Sequence, residues 1–181
     1  MSIALSSHSL STGTYLFLLK EIEKKLPKLL ITEEWESLDV DYHPPRVERV
    51  WLQYKDLRIC LHRIHPADSS DILFHRHPWP SAMKVLQGTY EMSVGFGATE
   101  ITPPVAATLL LNTGSYYEMI HPDGWHSVNP KDGSTYSLMI SGLPWPGREQ
   151  KSGLLLKPLS QEAKEEILDF FRGQYPEKKC F

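Results

Sequence analysis

Apolar residues near the start of the chain recur every three or four positions, which is the spacing of one face of an α-helix. They are Leu18, Leu19, Ile22, Leu26, Leu29 and Leu30, with charged residues between them. The pattern predicts an amphipathic helix over 18–30 whose apolar face packs on the body of the protein or on a second subunit. Pro27 is expected to break or kink this helix. Thr32, followed by two glutamates, predicts the start of a second short helix.

From Val47 onward the pattern changes to short apolar runs separated by turn-forming residues. The runs that we expect to form strands are 47–54, 57–65, 72–77, 82–86, 89–96, 107–111, 116–120, 125–128 and 135–141. Short strands with frequent turns predict an all-β sandwich or barrel rather than alternating strands and helices. A last helix is expected after Ser160, which suits the N-cap position.

Composition is that of an ordinary soluble domain. The 181 residues are 41% hydrophobic and 23% charged, which suits one domain with terminal extensions. We expect a helical arm over 1–45, a β-barrel over 46–145 and a C-terminal extension with a helix over 146–181. A formal net charge of −3 argues against nucleic acid and anionic membrane surfaces as partners.

The apolar runs and the cysteines also bear on location. No run reaches the roughly 18 apolar residues of a membrane-spanning helix. The N-terminus has neither a basic segment nor a small-residue cleavage site around its apolar stretch, which argues against a signal peptide. Cys60 and Cys180 are isolated and do not make a disulfide framework, so we expect a reducing, cytoplasmic setting.

Histidines supply the candidate chemistry. His75 and His77 are two residues apart, so on a strand both side chains project from the same face. Two imidazoles on one face can chelate a single ion if a third ligand arrives from another strand. A loop, a strand and the turn residue Gly88 follow them. Further along, Gly114 precedes Pro122-Asp123-Gly124-Trp125-His126, with Asn129 just beyond.

These residues resemble the two motifs of the cupin superfamily. In that family the first motif is a glycine, His-x-His, three or four residues, a glutamate, six residues and a glycine; the second is Gly, five residues, Pro-x-Gly, two residues, His, three residues and Asn. The matching positions here are His75, His77 and Gly88 for the first motif, and Gly114, Pro122, Gly124, His126 and Asn129 for the second. The resemblance covers residues 47–141. It implies a double-stranded β-helix (jelly-roll) barrel with a metal held by His75, His77 and His126.

The chain departs from the family pattern at the acidic ligand, which would fall at Ser81 or Ala82. The opening glycine of the first motif is missing, and the second motif is one residue short between Gly124 and His126. What remains is a three-histidine site, similar to that of the cysteine dioxygenase-like cupins. The resemblance implies a divalent transition metal, Fe(II) before Zn, Ni or Mn. Glu91, Glu118 and His121 are open as replacements for the missing acid.

Other polar residues could serve a substrate. Arg58 and Arg63 lie on the strand before the first motif and project from opposite faces, so at most one points inward. A tyrosine could place a phenol near bound dioxygen, as one does in the thiol dioxygenases. The candidates are Tyr90, Tyr116, Tyr117 and Tyr136.

The leading functional hypothesis is an Fe(II) dioxygenase that acts on a small organic molecule and forms a homodimer, as cupins commonly do. The alternative is a cupin that binds a metal or a small ligand without turnover, because no general base or nucleophile stands out in the sequence. A third use, isomerisation or hydrolysis with Zn or Mn, needs an acid–base pair that the sequence does not place.

Overall fold

The computed structural model describes residues 14–148 and 156–177. Cys180 lies outside these ranges. Within them the chain forms two helices and ten strands. In chain order they are α1 (Tyr15–Thr32), β1 (Glu36–Val40), β2 (Val47–Tyr54), β3 (Leu57–Ile64), β4 (His75–Arg76), β5 (Ser81–Gln87), β6 (Thr89–Phe96), β7 (Ala107–Asn112), β8 (Tyr116–Met119), β9 (Gly124–Pro130), β10 (Thr135–Ser141) and α2 (Gln161–Gln174).

The strands form two antiparallel sheets. One has the order β1-β2-β3-β10-β5-β8 and the other has the order β4-β9-β6-β7. From β3 to β10 the chain therefore places β3, β10, β5 and β8 in one sheet and β4, β9, β6 and β7 in the other. This is the strand arrangement of a jelly roll, the architecture that cupins use. The predicted fold class, an all-β jelly-roll barrel with helical ends, is confirmed.

Two apolar clusters lie on the two faces of the larger sheet. The outer cluster joins α1 and α2 to the sheet and includes Leu26, Ile59, Leu61 and Ile167. The inner cluster fills the barrel and includes Cys60. Because successive side chains of a strand alternate between faces, Ile59 and Leu61 contact the helices while Cys60 faces the barrel interior.

The apolar runs predicted the strands well. Each of the nine predicted runs overlaps a strand, and the bounds of β2, β6 and β10 are as predicted. The run 72–77 is the main exception, since it shortens to His75–Arg76. The predicted N-cap of α2 is confirmed, because Ser160 Oγ accepts a hydrogen bond from the backbone N–H of Ala163 at 3.2 Å.

The second short helix expected after Thr32 is wrong. The chain forms β1 there instead, and Glu36 lies opposite Trp51 while Val40 lies opposite Val47. This pairing gives hydrogen-bond partners to the backbone of β2, which would otherwise be a free edge. Trp35, which is buried, fixes the turn before β1 by donating its Nε1–H to the carbonyl of Leu29 at 3.2 Å.

Pro27 does not break α1, which continues to Thr32. A proline inside a helix removes one backbone hydrogen bond. Here Leu26, Leu29 and Leu30 are all buried against the sheet, and that packing holds the helix on both sides of the proline.

The apolar face of α1 packs on the protein's own barrel, so it gives no reason to expect a second subunit. The homodimer and the cytoplasmic location stay predictions. Neither of the two helices in the described residues combines the length and the hydrophobicity that a membrane-spanning helix needs.

Two motif glycines have structural roles. Gly88 joins β5 to β6 with φ of +85°, and a Cβ there would lie 2.9 Å from Thr135 Oγ1. Gly114 precedes β8 with φ of +89°. Glycine is favoured at both positions because other residues rarely adopt a positive φ.

The outer cluster should carry much of the folding stability. Leu26 is fully buried between α1 and the sheet, so Leu26→Ala should lower the free energy of unfolding by about 2–5 kcal/mol. Ile31, on the same helix, is 60% exposed, so Ile31→Ala should change it by less than about 0.5 kcal/mol. Urea unfolding followed by circular dichroism measures both values. Equal effects of the two substitutions would contradict the packing described here.

Candidate metal centre

Two adjacent strands bring the three histidines together. In the pairing of β4 with β9, His75 lies directly opposite His126. His77 follows β4 two residues after His75. The ring centroids lie 5.0 Å apart for His75 and His126, 4.6 Å for His77 and His126, and 5.3 Å for His75 and His77. One nitrogen from each ring lies within 4.8 Å of the others.

The contacts of the three rings bear on which nitrogen of each could bind a metal. His77 Nε2 and His126 Nε2 lie 3.0 Å apart. His75 Nδ1 lies 3.1 Å from the carbonyl oxygen of Leu73, an acceptor only, so Nδ1–H donates and Nε2 keeps its lone pair. His77 Nδ1 contacts Ser81 Oγ at 3.2 Å. His126 Nδ1 is buried without a hydrogen-bond partner among the described residues.

The donor set fits a divalent transition metal. Two imidazole nitrogens at about 2.1 Å from one ion, separated by an angle near 90°, lie about 3.0 Å apart. The distance between His77 Nε2 and His126 Nε2 has this value. Imidazole ligands suit Zn, Cu, Fe and Ni, so the geometry supports a metal of this class without selecting one.

Burial keeps the three rings neutral. Desolvation lowers the pKa of His77 to about 3, with further lowering by the nearby His75 and Arg49. Desolvation also lowers the pKa of His75, and it holds that of His126 well below its usual value. Neutral imidazoles keep the lone pairs that bind a metal, so the rings are competent ligands at pH 7.

The position of the missing acid is occupied by Ser81. Its side chain points into the barrel and contacts His77, whereas Ala82 is buried against the helices in the outer cluster. A serine hydroxyl at 3.2 Å from His77 Nδ1 can orient the ring. Where the cupin motif has an acidic ligand, this chain therefore has a serine that contacts His77.

None of the proposed replacements for the acid joins the histidine cluster. Glu118 Oε2 accepts a hydrogen bond from the backbone N–H of Leu16 at 3.0 Å, at the start of α1. Glu91 forms a salt bridge with Lys131 at 3.2 Å. The side chain of His121 is 58% exposed. Among the described residues, the set that could hold a metal consists of the three histidines.

One of the four tyrosines reaches the site. Tyr117 lines the pocket next to the histidines, and its ring centroid lies 6.2 Å from that of His126. Its hydroxyl contacts Met83 Sδ at 3.1 Å, and burial raises its pKa to about 12. Tyr90 is buried deeper in the barrel. The other two lie on the outer face, where Tyr116 bonds to Glu23 and Tyr136 stacks on Phe170.

A pocket of about 1000 Å³ opens beside the histidines. Arg58 lines it, whereas Arg63 projects outward and pairs with Glu48 and Glu166. The sequence interpretation did not single out Arg49, which also lines the pocket and donates its Nε–H to His62 Nε2 at 2.9 Å. The alternation along β2 and β3 places Arg49 and His62 on one shared face, but it does not show that this face is the inner one, because both faces of β3 are buried.

No family model matches the chain, and neither does any curated protein. Among solved structures, the chain is similar to hydroxypropylphosphonic acid epoxidase from S. wedmorenis, with 20% identity, a TM-score of 0.47 and coverage of 60% of this chain and 55% of the epoxidase. It is also similar to KdgF from Halomonas sp., with 16% identity, a TM-score of 0.43 and coverage of 61% of this chain and 89% of KdgF. This chain therefore spans little more than half the length of the epoxidase. The fold assignment rests on the strand order of the two sheets.

The lowered pKa of His77 makes the stability of the metal-free protein depend on pH. An unfolded histidine takes up a proton below about pH 6.5, but folded His77 does so only near pH 3. The contribution of neutral His77 to the free energy of unfolding is therefore complete above pH 6.5 and is lost as the pH falls toward 3. His77→Asn should flatten the slope of unfolding free energy between pH 6 and 4.5 by up to about 1.4 kcal/mol per pH unit.

The measurement is urea unfolding in EDTA across this pH range. His121→Asn is the matched control, because this exposed histidine lies outside the cluster, and it should leave the slope unchanged. A slope that His77→Asn leaves unaltered would mean that the buried ring is already charged in the folded protein.

Proposed function

We propose that the protein is a metal-dependent cupin, an Fe(II) dioxygenase of small organic molecules, with His75, His77 and His126 as the metal ligands. The observation that carries this proposal is the convergence of three neutral imidazoles at the wall of a pocket. The described residues add no carboxylate to the set. Three neutral ligands leave the full charge of the ion for a substrate, which favours an anionic, chelating molecule.

The rest of the site contributes positioning and protection from water. A bound Fe(II) would keep two or three coordination positions for the substrate and dioxygen and would supply the redox chemistry. Ser81 orients His77. The buried inner cluster below the histidines excludes solvent from the inner end of the pocket.

Tyr117 can supply a proton-bearing group beside the reacting molecule. Its raised pKa keeps the phenol protonated at neutral pH, so it can donate a hydrogen bond to an oxygen of the substrate or of dioxygen. Its hydroxyl now contacts the thioether sulfur of Met83, which is a weak acceptor. Exchanging that weak contact for an oxygen acceptor costs little.

A metal-holding protein without turnover is the second candidate. It is favoured by the chemistry of the nearest groups: three neutral imidazoles, a serine and a phenol whose pKa is raised include no general base matched to neutral pH. The two candidates share the metal site and differ in oxygen consumption.

Metal content and oxygen uptake test the proposal together. Protein loaded anaerobically with Fe(II) should hold about one ion per chain and consume oxygen with a substrate from a panel of thiols and diketones. His77→Ala should abolish the uptake and lose most of the iron, because two imidazoles remain. Iron analysis and an oxygen electrode provide the readouts.

His121→Ala is the matched control and should retain both the iron and the uptake. Tight iron binding without uptake across the panel would support the second candidate. If His75→Ala, His77→Ala and His126→Ala each left the metal content unchanged, the metal site itself would be elsewhere.

Tyr117→Phe separates proton donation from metal binding. The substitution removes the hydroxyl and keeps the ring, so iron content should stay constant while the rate of oxygen uptake falls at least about tenfold. Tyr136→Phe is the matched control, because Tyr136 stacks on Phe170 on the outer face. Equal rates for Tyr117→Phe and the unaltered protein would remove Tyr117 from the reaction.

A further inference from the structure

Arg58 has unusual surroundings for a charged side chain. It shares the inner face of β3 with Cys60 and lines the pocket. Its guanidinium carbon lies 5.0 Å from the ring centroid of Trp51 and 5.6 Å from that of Trp79. Two aromatic rings at these distances restrict the planar guanidinium to few orientations and stabilise its charge without neutralising it.

Within 14–148 and 156–177, no carboxylate balances this charge. Among the described residues, none lies within salt-bridge distance of Arg58, and none accepts a hydrogen bond from it. Arg63 shows the contrast: it lies on the same strand with the opposite orientation and pairs with both Glu48 and Glu166. Arg58 Nε is buried and finds no acceptor in the described part of the chain. A buried donor without an acceptor is unfavourable, and more so when the group is charged.

The two tryptophans add further donors without acceptors. Trp51 Nε1 and Trp79 Nε1 are both buried and have no hydrogen-bond partner among the described residues. An indole N–H can only donate, as can a guanidinium. Arg58 and Trp79 line the pocket, and Trp51 packs against Arg58 from behind the lining. They form a corner in which the donors lack acceptors among the described residues, and a negatively charged oxygen-rich group complements such a corner.

We propose that Arg58 and Trp79 form an oxyanion subsite, with Trp51 holding the Arg58 guanidinium in place, and that the substrate of the proposed function is a small organic acid anchored there. Trp79 connects this corner to the histidines, because its ring centroid lies 6.3 Å from that of His77. With the 5.6 Å from Arg58 to Trp79, this places the guanidinium within about 12 Å of His77. A substrate that contacts both the Arg58 guanidinium and a metal at the histidines therefore has to span at most about this distance. The part of this inference that concerns the substrate rests on the proposed function; the subsite itself does not.

The second arginine of the pocket strengthens the electrostatic argument. Arg49 also lacks a carboxylate partner among the described residues, since its Nε–H is donated to the neutral imidazole of His62. Asp56 is the only carboxylate among the described residues that line the pocket. Arg76 also lines the pocket, but it pairs with Glu100 and Asp123. The guanidinium groups of Arg49 and Arg58 therefore face one carboxylate and leave the pocket positive, which attracts a small anion.

Calorimetric titration of the metal-free protein tests the subsite. The probes are acetate, glutarate, methanesulfonate and methylphosphonate, with neutral glutaramide for comparison. We expect saturable binding of glutarate, weaker or no binding of glutaramide, and a loss of affinity of about 10- to 100-fold in Arg58→Gln. The ranking of carboxylate, sulfonate and phosphonate identifies the kind of oxyanion that the subsite prefers.

Three variants control this result. Arg172→Gln removes the same charge from the surface of α2 and should bind glutarate as the unaltered protein does. Arg58→Lys keeps the charge but loses the planar fork, so it should bind with intermediate affinity. Trp79→Phe keeps the ring and removes the N–H, so it should weaken glutarate binding about 3- to 10-fold. Circular dichroism checks that each variant is folded.

The outcomes distinguish this inference from the proposed function. Because the titration uses metal-free protein, glutarate binding that depends on Arg58 supports the subsite whether or not the histidines hold iron. Absence of saturable binding for all four anions, or equal affinities in Arg58→Gln and Arg172→Gln, would overturn it. If both Arg58 variants fail to fold, Trp79→Phe decides: an affinity equal to that of the unaltered protein would overturn the subsite.

Discussion

The geometry of the candidate metal centre depends on one short strand pairing, that of β4 with β9. It has two residue pairs, His75 with His126 and Arg76 with Trp125. If β4 slipped by one residue along β9, His75 and His77 would both turn to the opposite face. The register is held by neighbours: the Arg76 guanidinium stacks on the Trp125 ring at 5.1 Å, and Trp125 Nε1 donates to the carbonyl of Gly97 at 2.9 Å. Groups outside the histidines thus set the distances between the imidazole rings.

Periodicity predicted the strands and the alternation of their side chains, but it could not select the inner face of β3. Both faces of this strand are buried, one by α1 and α2 and the other by the barrel interior. Ile59 and Cys60 are therefore both buried although they lie on opposite faces. Arg58 and Arg63 each have apolar neighbours on their own face, so the sequence alone does not tell which of the two arginines points inward. The two faces of β3 are distinguished by α1 and α2, which cover the outer face and lie far from β3 in the sequence.

Local signals failed where distant packing outweighed them. The residues after Thr32 have the features of a helix start, yet Glu36–Val40 pairs with β2 because a free sheet edge offers a full row of hydrogen bonds. The histidine triad was different: His75 and His77 share a face on any strand, and the motif glycines marked the turns around them. What the sequence could not provide was the donor-only corner at Arg58, since Trp51, Arg58 and Trp79 come from separate segments that carry no common motif.

The absent acid and the unpaired arginines have one physical explanation. A carboxylate at position 81 would lie beside His77 and would offset part of the positive charge of the pocket. With Ser81 there, Arg49 and Arg58 have no carboxylate partner among the described residues, so a bound anion would balance their charge. An organic acid that approaches the histidines would supply the negative charge that the protein omits. On the proposed function and subsite, the three neutral imidazoles and the donor-only corner would act on the two ends of the same molecule.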